Sequence, residues 1–144
     1  MRERDMAIQG VRTLKRAYDA ALKPVAEAHG LTRNEVDVLL FLANNPGYDT
    51  ARDIVELRGL TKSHVCQSVD GLTRRGWLSG VQDGQDRRRV HLSLLPAAQT
   101  AVAAAQAVQR DFFVRLYRDV SQEERETLER VQEKMLSNLK EAQQ

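Results

Sequence analysis

The stretch LTKSHVCQSVDGLTRRGWL, residues 60–78, decides the fold of this 144-residue chain. Thr61, near its start, is suited to cap a helix, and Gly76, near its end, is suited to end one. Between them lies an apolar i, i+4, i+7 stripe. The stripe consists of Val65, Val69 and Leu72 and predicts a helix with that face towards the core. The opposite face then presents short polar, amide and cationic side chains to solvent.

The segments on either side complete a winged helix. A short helix that starts at the capping box of Thr50 and ends at Gly59 precedes the first stretch, which gives a helix-turn-helix. After it the hydrophobic period changes from helical to alternating, so residues 77–81 and 89–94 are predicted strands joined by a turn at 83–86. We therefore expect a mainly α protein with a small β-hairpin wing.

Four further helices account for the rest of the chain. Apolar residues at helical spacing predict a first helix that Gly30 ends, and Pro24 should kink or break it. A capping box at Thr32 opens the second helix, and another at Ser121 opens the last one. Pro96 suits the first turn of a helix that runs from about residue 97 to 117.

These elements predict a single domain, residues 1–144, with two lobes. Residues 31–95 form the winged-helix DNA-binding lobe, and residues 1–30 with 96–144 form a helical dimerisation lobe. The terminal helices carry apolar stripes too wide to leave in water, and a second copy of the chain is the simplest partner to cover them. The stripes contain Ile8, Val11, Leu14 and Tyr18 in the first helix and Leu128, Val131, Met135 and Leu139 in the last.

The basic residues are concentrated in the middle of the chain. Between residues 58 and 91 there are seven Lys/Arg and three Asp/Glu, whereas the remainder has a slight acidic excess and the whole chain has a net charge of +2. This asymmetry indicates either a polyanion-binding segment or an ordinary solvated basic loop, and the charge alone does not decide between them. Three adjacent arginines at the predicted hairpin tip suit the concentrated negative potential of a DNA minor groove.

Double-stranded DNA is therefore the expected partner, and nine residues are candidates to contact it. Gln67 can bond to adenine in the major groove, and Lys62 or Arg74 can reach guanine or phosphate. Asp86 can brace one of the neighbouring arginine guanidinium groups. The candidates are Thr61, Lys62, Ser63, His64, Gln67, Arg74, Asp86, Arg87 and Arg88.

Several classes of protein and site are not expected. The single cysteine excludes an internal disulfide, the three histidines are far apart in sequence, and neither a metal site nor a cofactor is predicted. No nucleophile elbow, phosphate-binding glycine loop or pair of catalytic acids is present, so we do not expect an enzyme. The first residues lack the apolar run of a signal peptide and no stretch suits a membrane span, which favours a cytoplasmic location.

The residues quoted above resemble one known family. Residues 60–78 resemble the recognition helix and first wing strand of the MarR family, and residues 83–94 are similar to its wing, with the Asp-x-Arg core at Asp86 and Arg88. Helix order and length agree over essentially the whole chain. The resemblance implies a homodimeric transcriptional regulator that binds a palindromic operator, and it implies a repressor released by a small-molecule effector or by cysteine oxidation.

The sequence departs from the family pattern and leaves some roles open. Gln67 stands where a basic residue is frequent, Ile54-Val55 replaces the usual Leu-Ala pair, and no cysteine lies near the N-terminus as in the peroxide-sensing branch. Cys66 is either a small packing residue or a redox-sensitive thiol near the DNA. A winged helix used for protein–protein interaction is the alternative function, although three arginines suit that role poorly.

Overall fold

The computed structural model describes residues 2–142, which form six α-helices and one two-stranded antiparallel sheet. The predicted class, mainly α with a β-hairpin wing, is confirmed. The elements are α1 Glu3–Ala28, α2 Arg33–Asn44, α3 Ala51–Asp53 continued by a π-helical turn Ile54–Arg58, α4 Lys62–Arg74, β1 Leu78–Gln82, β2 Val90–Leu94, a 3-10 turn Pro96–Ala98 with α5 Gln99–Leu116, and α6 Gln122–Ala142.

The helix starts follow local side-chain chemistry. In the capping box of α2 the Glu35 N–H donates to Thr32 Oγ1 over 3.1 Å, and the Thr32 N–H donates to Glu35 Oε1 over 2.8 Å. Equivalent reciprocal bonds join Thr50 to Asp53 and Ser121 to Glu124. All three predicted capping boxes are confirmed, because each depends on residues only three positions apart.

Of the two effects expected of Pro24, the break into two helices is wrong, and the kink stays a prediction. Helix α1 continues from Glu3 to Ala28, so the proline does not divide it into two helices. A proline inside a helix costs about 3 kcal/mol through its missing N–H and its clash with the preceding turn. The side chains of Leu22, Val25 and Ala26 are buried on both sides of Pro24, and their burial offsets this cost.

The chain divides into two compact units, Met1–Arg110 and Asp111–Gln144. The core of the first unit lies between α2, α4 and the hairpin, where Val36, Val65 and Leu72 are completely buried. Val69 of the predicted stripe is partly buried and packs against this core. The predicted division into a DNA-binding lobe and a dimerisation lobe concerns function and stays a prediction.

The base of the hairpin is fixed to the first unit by backbone hydrogen bonds. In the sheet Leu78 pairs with Leu94 and Gln82 pairs with Val90. The Leu92 N–H donates to the carbonyl of Asp49 in the α2–α3 loop over 2.8 Å, which ties β2 to the helix-turn-helix. The loop beyond the strands, residues 83–89, is closed by a 2.8 Å bond from the Asp83 N–H to the Arg89 carbonyl. Within residues 2–142, no helix is both long enough and apolar enough to cross a membrane.

Candidate nucleic-acid interface

One face of α4 is free to meet a large partner. Val65 and Leu72 are fully buried and Ser68 is 4% exposed, which fixes the inward face of the helix. The side chains predicted to contact DNA lie on the other side and are exposed, as the helical phasing requires: Lys62, Ser63, His64, Gln67 and Arg74. The exposure agrees with the predicted role of these residues, and the role itself stays a prediction.

The start of α4 is rigidly defined. Gly59 has a φ of 79° and so ends the preceding π-helical turn in the left-handed region, which glycine tolerates without a steric penalty. Thr61 Oγ1 then accepts the N–H of His64 over 3.1 Å and caps α4. The Thr61 hydroxyl oxygen therefore fixes the position at which α4 begins. The hydroxyl hydrogen is still available as a donor to a partner.

Two carboxylates organise the hairpin loop. Asp83 Oδ2 accepts the N–H groups of Gln85 and Asp86, each over 3.0 Å. Asp86 Oδ1 accepts the N–H of Arg88 over 3.0 Å. The expected brace between Asp86 and a guanidinium group is therefore wrong: a short carboxylate reaches the backbone two residues ahead more readily than a long mobile side chain. The side chains of Arg87, Arg88 and Arg89 are all exposed.

A histidine bridge at the base of the loop is absent from the sequence-based predictions. His91 Nδ1 lies 2.8 Å from Asp49 Oδ1, and His91 Nε2 lies 2.7 Å from Asp83 Oδ1. The hydrogen bond to Asp83, followed by that to Asp49, raises the pKa of His91. The bond to His91, helped by the N–H groups of Gln85 and Asp86, lowers the pKa of Asp83 to about 2. Alternation along β2 could have suggested the contact with Asp83, but only the tertiary fold brings in Asp49.

Two cations of the basic segment serve the fold instead of an outside partner. Arg75 donates to the carbonyls of His29 and Gly30 over 2.8 and 2.9 Å, and its guanidinium lies 4.0 Å from the centroid of the Trp77 ring. Arg58 Nη2 lies 3.1 Å from Asp37 Oδ1. The other basic side chains of this segment lie on α4 and on the hairpin loop, where they are exposed: Lys62, Arg74, Arg87, Arg88 and Arg89.

Cys66 is exposed, so it does not fill the core as a packing residue. It lines a groove of about 280 Å³ between the short helix and α4, together with Ala51, Arg52, Val55, Glu56, Lys62 and Val65. Among residues 2–142, no cluster of three or more His, Cys, Asp or Glu side chains could hold a metal ion. The aromatic residues near the end of α5 contact one another, with the Phe112 and Phe113 rings edge to face at 5.5 Å.

Comparisons with known proteins agree with this geometry. The family model of the MarR family matches residues 29–89, which include α2, the helix-turn-helix, β1 and the hairpin loop. No curated protein matches the chain. Each of the three solved structures described next is less than 25% identical to this chain, so their likeness establishes the fold alone.

Three solved regulators illustrate the likeness. S. aureus MepR in its DNA-binding conformation superposes with a TM-score of 0.83 at 22% identity, covering 92% of this chain and 98% of MepR. A MarR-family regulator from Silicibacter pomeroyi gives 0.80 at 20% identity, with 96% of each chain covered. Bordetella bronchiseptica BpsR, whose DNA binding is regulated by 6-hydroxynicotinic acid, gives 0.69 at 20% identity, covering 90% of this chain and 98% of BpsR.

Proposed function

We propose that this chain, whose residues 29–89 match the family model of the MarR family, is a homodimeric, sequence-specific DNA-binding repressor of that family. In this function α4 enters the major groove and the hairpin loop enters the adjacent minor groove of a palindromic operator. The protein is a regulator and not an enzyme. A DNA-binding repressor must lie in the same compartment as its operator, which agrees with the cytoplasmic location expected from the sequence.

The observation that carries the proposal is the set of exposed cations on α4 and the hairpin loop. Arg87, Arg88 and Arg89 stand side by side in solvent, and no ion pair is formed by them among residues 2–142. Three adjacent guanidinium groups repel one another, and a line of phosphates removes that repulsion. A solved structure of S. aureus MepR bound to DNA has the same fold, with a TM-score of 0.72.

Exposed apolar stripes support the homodimer. On α1 of the first unit, Ile8 and Val11 are each 72% exposed. On α6 of the second unit, Leu128, Val131, Met135 and Leu139 are between 41% and 61% exposed. Monomeric proteins rarely leave such continuous apolar surface in water. A second copy that covers the terminal helices also supplies a second winged helix, as a palindromic site requires.

A small-molecule effector completes the proposal. The support is the likeness to BpsR, whose DNA binding is regulated by 6-hydroxynicotinic acid. We propose that a ligand of this general size releases the operator and so relieves repression. A screen of small aromatic acids against the protein–operator complex, read by loss of fluorescence anisotropy, tests this step. Release by none of them would contradict the effector and leave the DNA-binding proposal intact.

Selection of duplexes from a random pool tests DNA binding directly. We expect a palindrome whose half-sites lie about one helical turn apart, bound with an affinity that falls steeply as salt rises. Arg88→Ala should weaken binding to the selected duplex about 5- to 100-fold, since one groove contact is worth about 1–3 kcal/mol. Arg110→Ala is the matched control, because it removes the same charge from an exposed site outside the winged helix.

Two outcomes would contradict this function. If no duplex is enriched and affinity for random DNA is independent of salt, the winged helix serves protein–protein interaction instead. If Arg88→Ala and Arg110→Ala weaken binding equally, the hairpin loop makes no specific contact.

Sedimentation tests the dimer separately. Val131→Lys places a charge in the apolar stripe of α6, whereas Glu133→Lys places the same residue on the opposite side of that helix. We expect the first variant to sediment as a monomer and to lose operator affinity, because two half-sites are no longer engaged together. The second variant should remain a dimer. A wild-type monomer at micromolar concentration would contradict the proposal.

A further inference from the structure

We propose that His91 is a positioning residue for DNA binding: bridged between Asp49 and Asp83, its doubly protonated ring holds the hairpin loop in the conformation that delivers Arg87 and Arg88. This inference rests on the proposed function, because it concerns how the loop is prepared for the minor groove. It also has consequences in the free protein, where it can be tested without DNA.

The geometry of the bridge requires a charged ring. Asp49 belongs to the α2–α3 loop, His91 to β2, and Asp83 is the first residue of the hairpin loop. The two carboxylate oxygens lie 2.8 and 2.7 Å from the two ring nitrogens. An ionised carboxylate only accepts hydrogen bonds, so both nitrogens must carry a proton for both bonds to exist. A neutral ring keeps one bond and turns a lone pair towards the other carboxylate.

Further hydrogen bonds carry the constraint to the arginines. Asp83 uses Oδ1 for His91 and Oδ2 for the N–H groups of Gln85 and Asp86. Asp86 in turn accepts the N–H of Arg88. The orientation of the Asp83 carboxylate therefore sets the backbone of the loop. Of the side chains in this series of bonds, the histidine is the one whose ordinary pKa lies near neutral pH.

The backbone below the bridge does not depend on the histidine. Asp49 is joined to β2 by its own carbonyl, which accepts the Leu92 N–H over 2.8 Å. Loss of one ring proton therefore leaves β2 attached to the α2–α3 loop whichever ring bond is broken, and we expect the bond to Asp83 to be the one that breaks. We expect the strands to stay paired while the loop, residues 83–89, samples other conformations. That distinction separates a positioning role from a general role in stability.

The charges around the ring set the direction of the pH dependence. The carboxylates of Asp83 and Asp49 both raise the pKa of His91 above its ordinary value. The other charged groups of the loop are Asp86, which is turned to the Arg88 N–H, and the exposed arginines 87–89. Asp83 stays ionised throughout, because its pKa is lowered to about 2. The bridge is therefore complete below pH 6.5 and is lost as pH rises through the raised pKa of His91.

Nuclear magnetic resonance of the free protein tests the bridge first. The chain has three histidines, so the ring protons of His91 can be assigned with His91→Gln and followed from pH 5 to 10. We expect a pKa above that of a free histidine, and both Asp83→Asn and Asp49→Asn should lower it. Amide relaxation should show residues 84–88 becoming mobile as His91 loses its proton, with β1 and β2 unchanged. A ring that titrates at the ordinary value, or a loop indifferent to that titration, would overturn the proposal.

Operator affinity tests the functional consequence. At constant ionic strength the wild-type protein should lose at least about fivefold in affinity as His91 deprotonates, because only the fraction with an ordered loop is competent to bind. His91→Gln should bind weakly at pH 6 and lack that part of the pH dependence. His29→Gln is the matched control, since it removes a half-buried imidazole at the end of α1 and should keep the wild-type profile.

A double-mutant cycle excludes a merely structural role. In an Arg87→Ala/Arg88→Ala background the further substitution His91→Gln should cost little affinity at pH 6, because both side chains that the bridge positions are gone. Equal costs in both backgrounds would show that His91 acts on overall stability and would overturn the proposal. Absence of binding to any duplex at any pH would instead refute the proposed function, and the free-protein titration would then report that separately.

Discussion

Substitution of Asp37 is expected to destabilise the protein far more than substitution of a comparable surface carboxylate. Asp37 lies on α2 with its side chain 7% exposed, and Oδ1 alone meets two guanidinium groups. Arg33 Nη1 is 2.7 Å away, and Arg58 Nη2 is 3.1 Å away. Because Arg58 directly precedes Gly59 in the turn of the helix-turn-helix, Asp37 connects α2 with the start of α4.

The magnitude follows from the burial of each partner. A hydrogen bond to a charged group contributes about 1.5–3 kcal/mol when it is shielded from water. The Arg33 side chain is 23% exposed and keeps a second carboxylate, Asp19 Oδ1, at 3.2 Å. The Arg58 side chain is 39% exposed, so water replaces much of its bond. We therefore expect Asp37→Asn, which keeps the volume and removes the charge, to cost about 2 kcal/mol.

Urea denaturation followed by circular dichroism measures this cost. At a fixed protein concentration, with a slope of about 1–3 kcal/mol per molar urea, the midpoint should fall by about 1 M. Glu56→Gln is the matched control: its i,i+4 bond from Arg52 is similarly short at 2.8 Å, but the Arg52 and Glu56 side chains are 84% and 56% exposed. That variant should lose less than about 0.5 kcal/mol.

Equal shifts in the urea midpoint for Asp37→Asn and Glu56→Gln would contradict this expectation. If Asp37→Asn shifts the midpoint no more than Glu56→Gln, then the desolvation of the buried charges cancels their attraction, as it can for buried ion pairs. A double-mutant cycle with Arg58→Ala should give a coupling energy of about 1 kcal/mol. Additive effects would show that the two side chains do not interact in solution.

Three further substitutions separate specificity, fold and loop geometry. Gln67→Ala should leave stability unchanged and relax discrimination at one base pair of the operator by about 1–3 kcal/mol; an equal loss on all sequences would identify a backbone contact instead. Arg75→Ala should lower the free energy of unfolding by about 1 kcal/mol, because its bonds to two carbonyls are lost. The slope of log affinity for DNA against log salt concentration should not change, whereas a shallower slope would indicate a phosphate contact. Asp86→Ala should weaken operator binding although it removes a negative charge. Asp86→Asn, which keeps an oxygen for the Arg88 N–H, should retain most of the affinity. Tighter binding by Asp86→Ala at every salt concentration would mean that the loop is only a diffuse cationic patch.

Local chemistry made the order of the elements predictable. The capping boxes at Thr32, Thr50 and Ser121 and the left-handed glycine at position 59 depend on bonds or dihedral angles within a few residues. The buried stripe of α4 follows from helical spacing, because every apolar residue on one face must meet the same core. The resemblance of residues 60–94 to one family then implied how these elements are used.

Tertiary contacts decided which charges remain available to a partner. Arg58 and Arg75 both lie in the basic segment of the sequence. In the structure Arg58 donates to a carboxylate 21 residues away, and Arg75 donates to carbonyls 45 and 46 residues away. Pro24 remains inside one helix because neighbouring side chains are buried, which no local signal reveals. These outcomes depend on how segments distant in sequence pack together.

The contacts of His91 combine a feature that the sequence predicts with one that only the tertiary structure provides. Strand alternation placed His91 on the returning strand, but its partner Asp49 is 42 residues earlier in the chain. Only the packing of β2 against the α2–α3 loop brings that carboxylate to the ring, and the protonation state of the ring follows from the contact. Helix starts, strand period and buried stripes are local properties that the amino-acid sequence determines by itself. The ion pair of Asp37 with Arg58 and the raised pKa of His91 depend on distances between segments far apart in sequence, so the tertiary structure decides them.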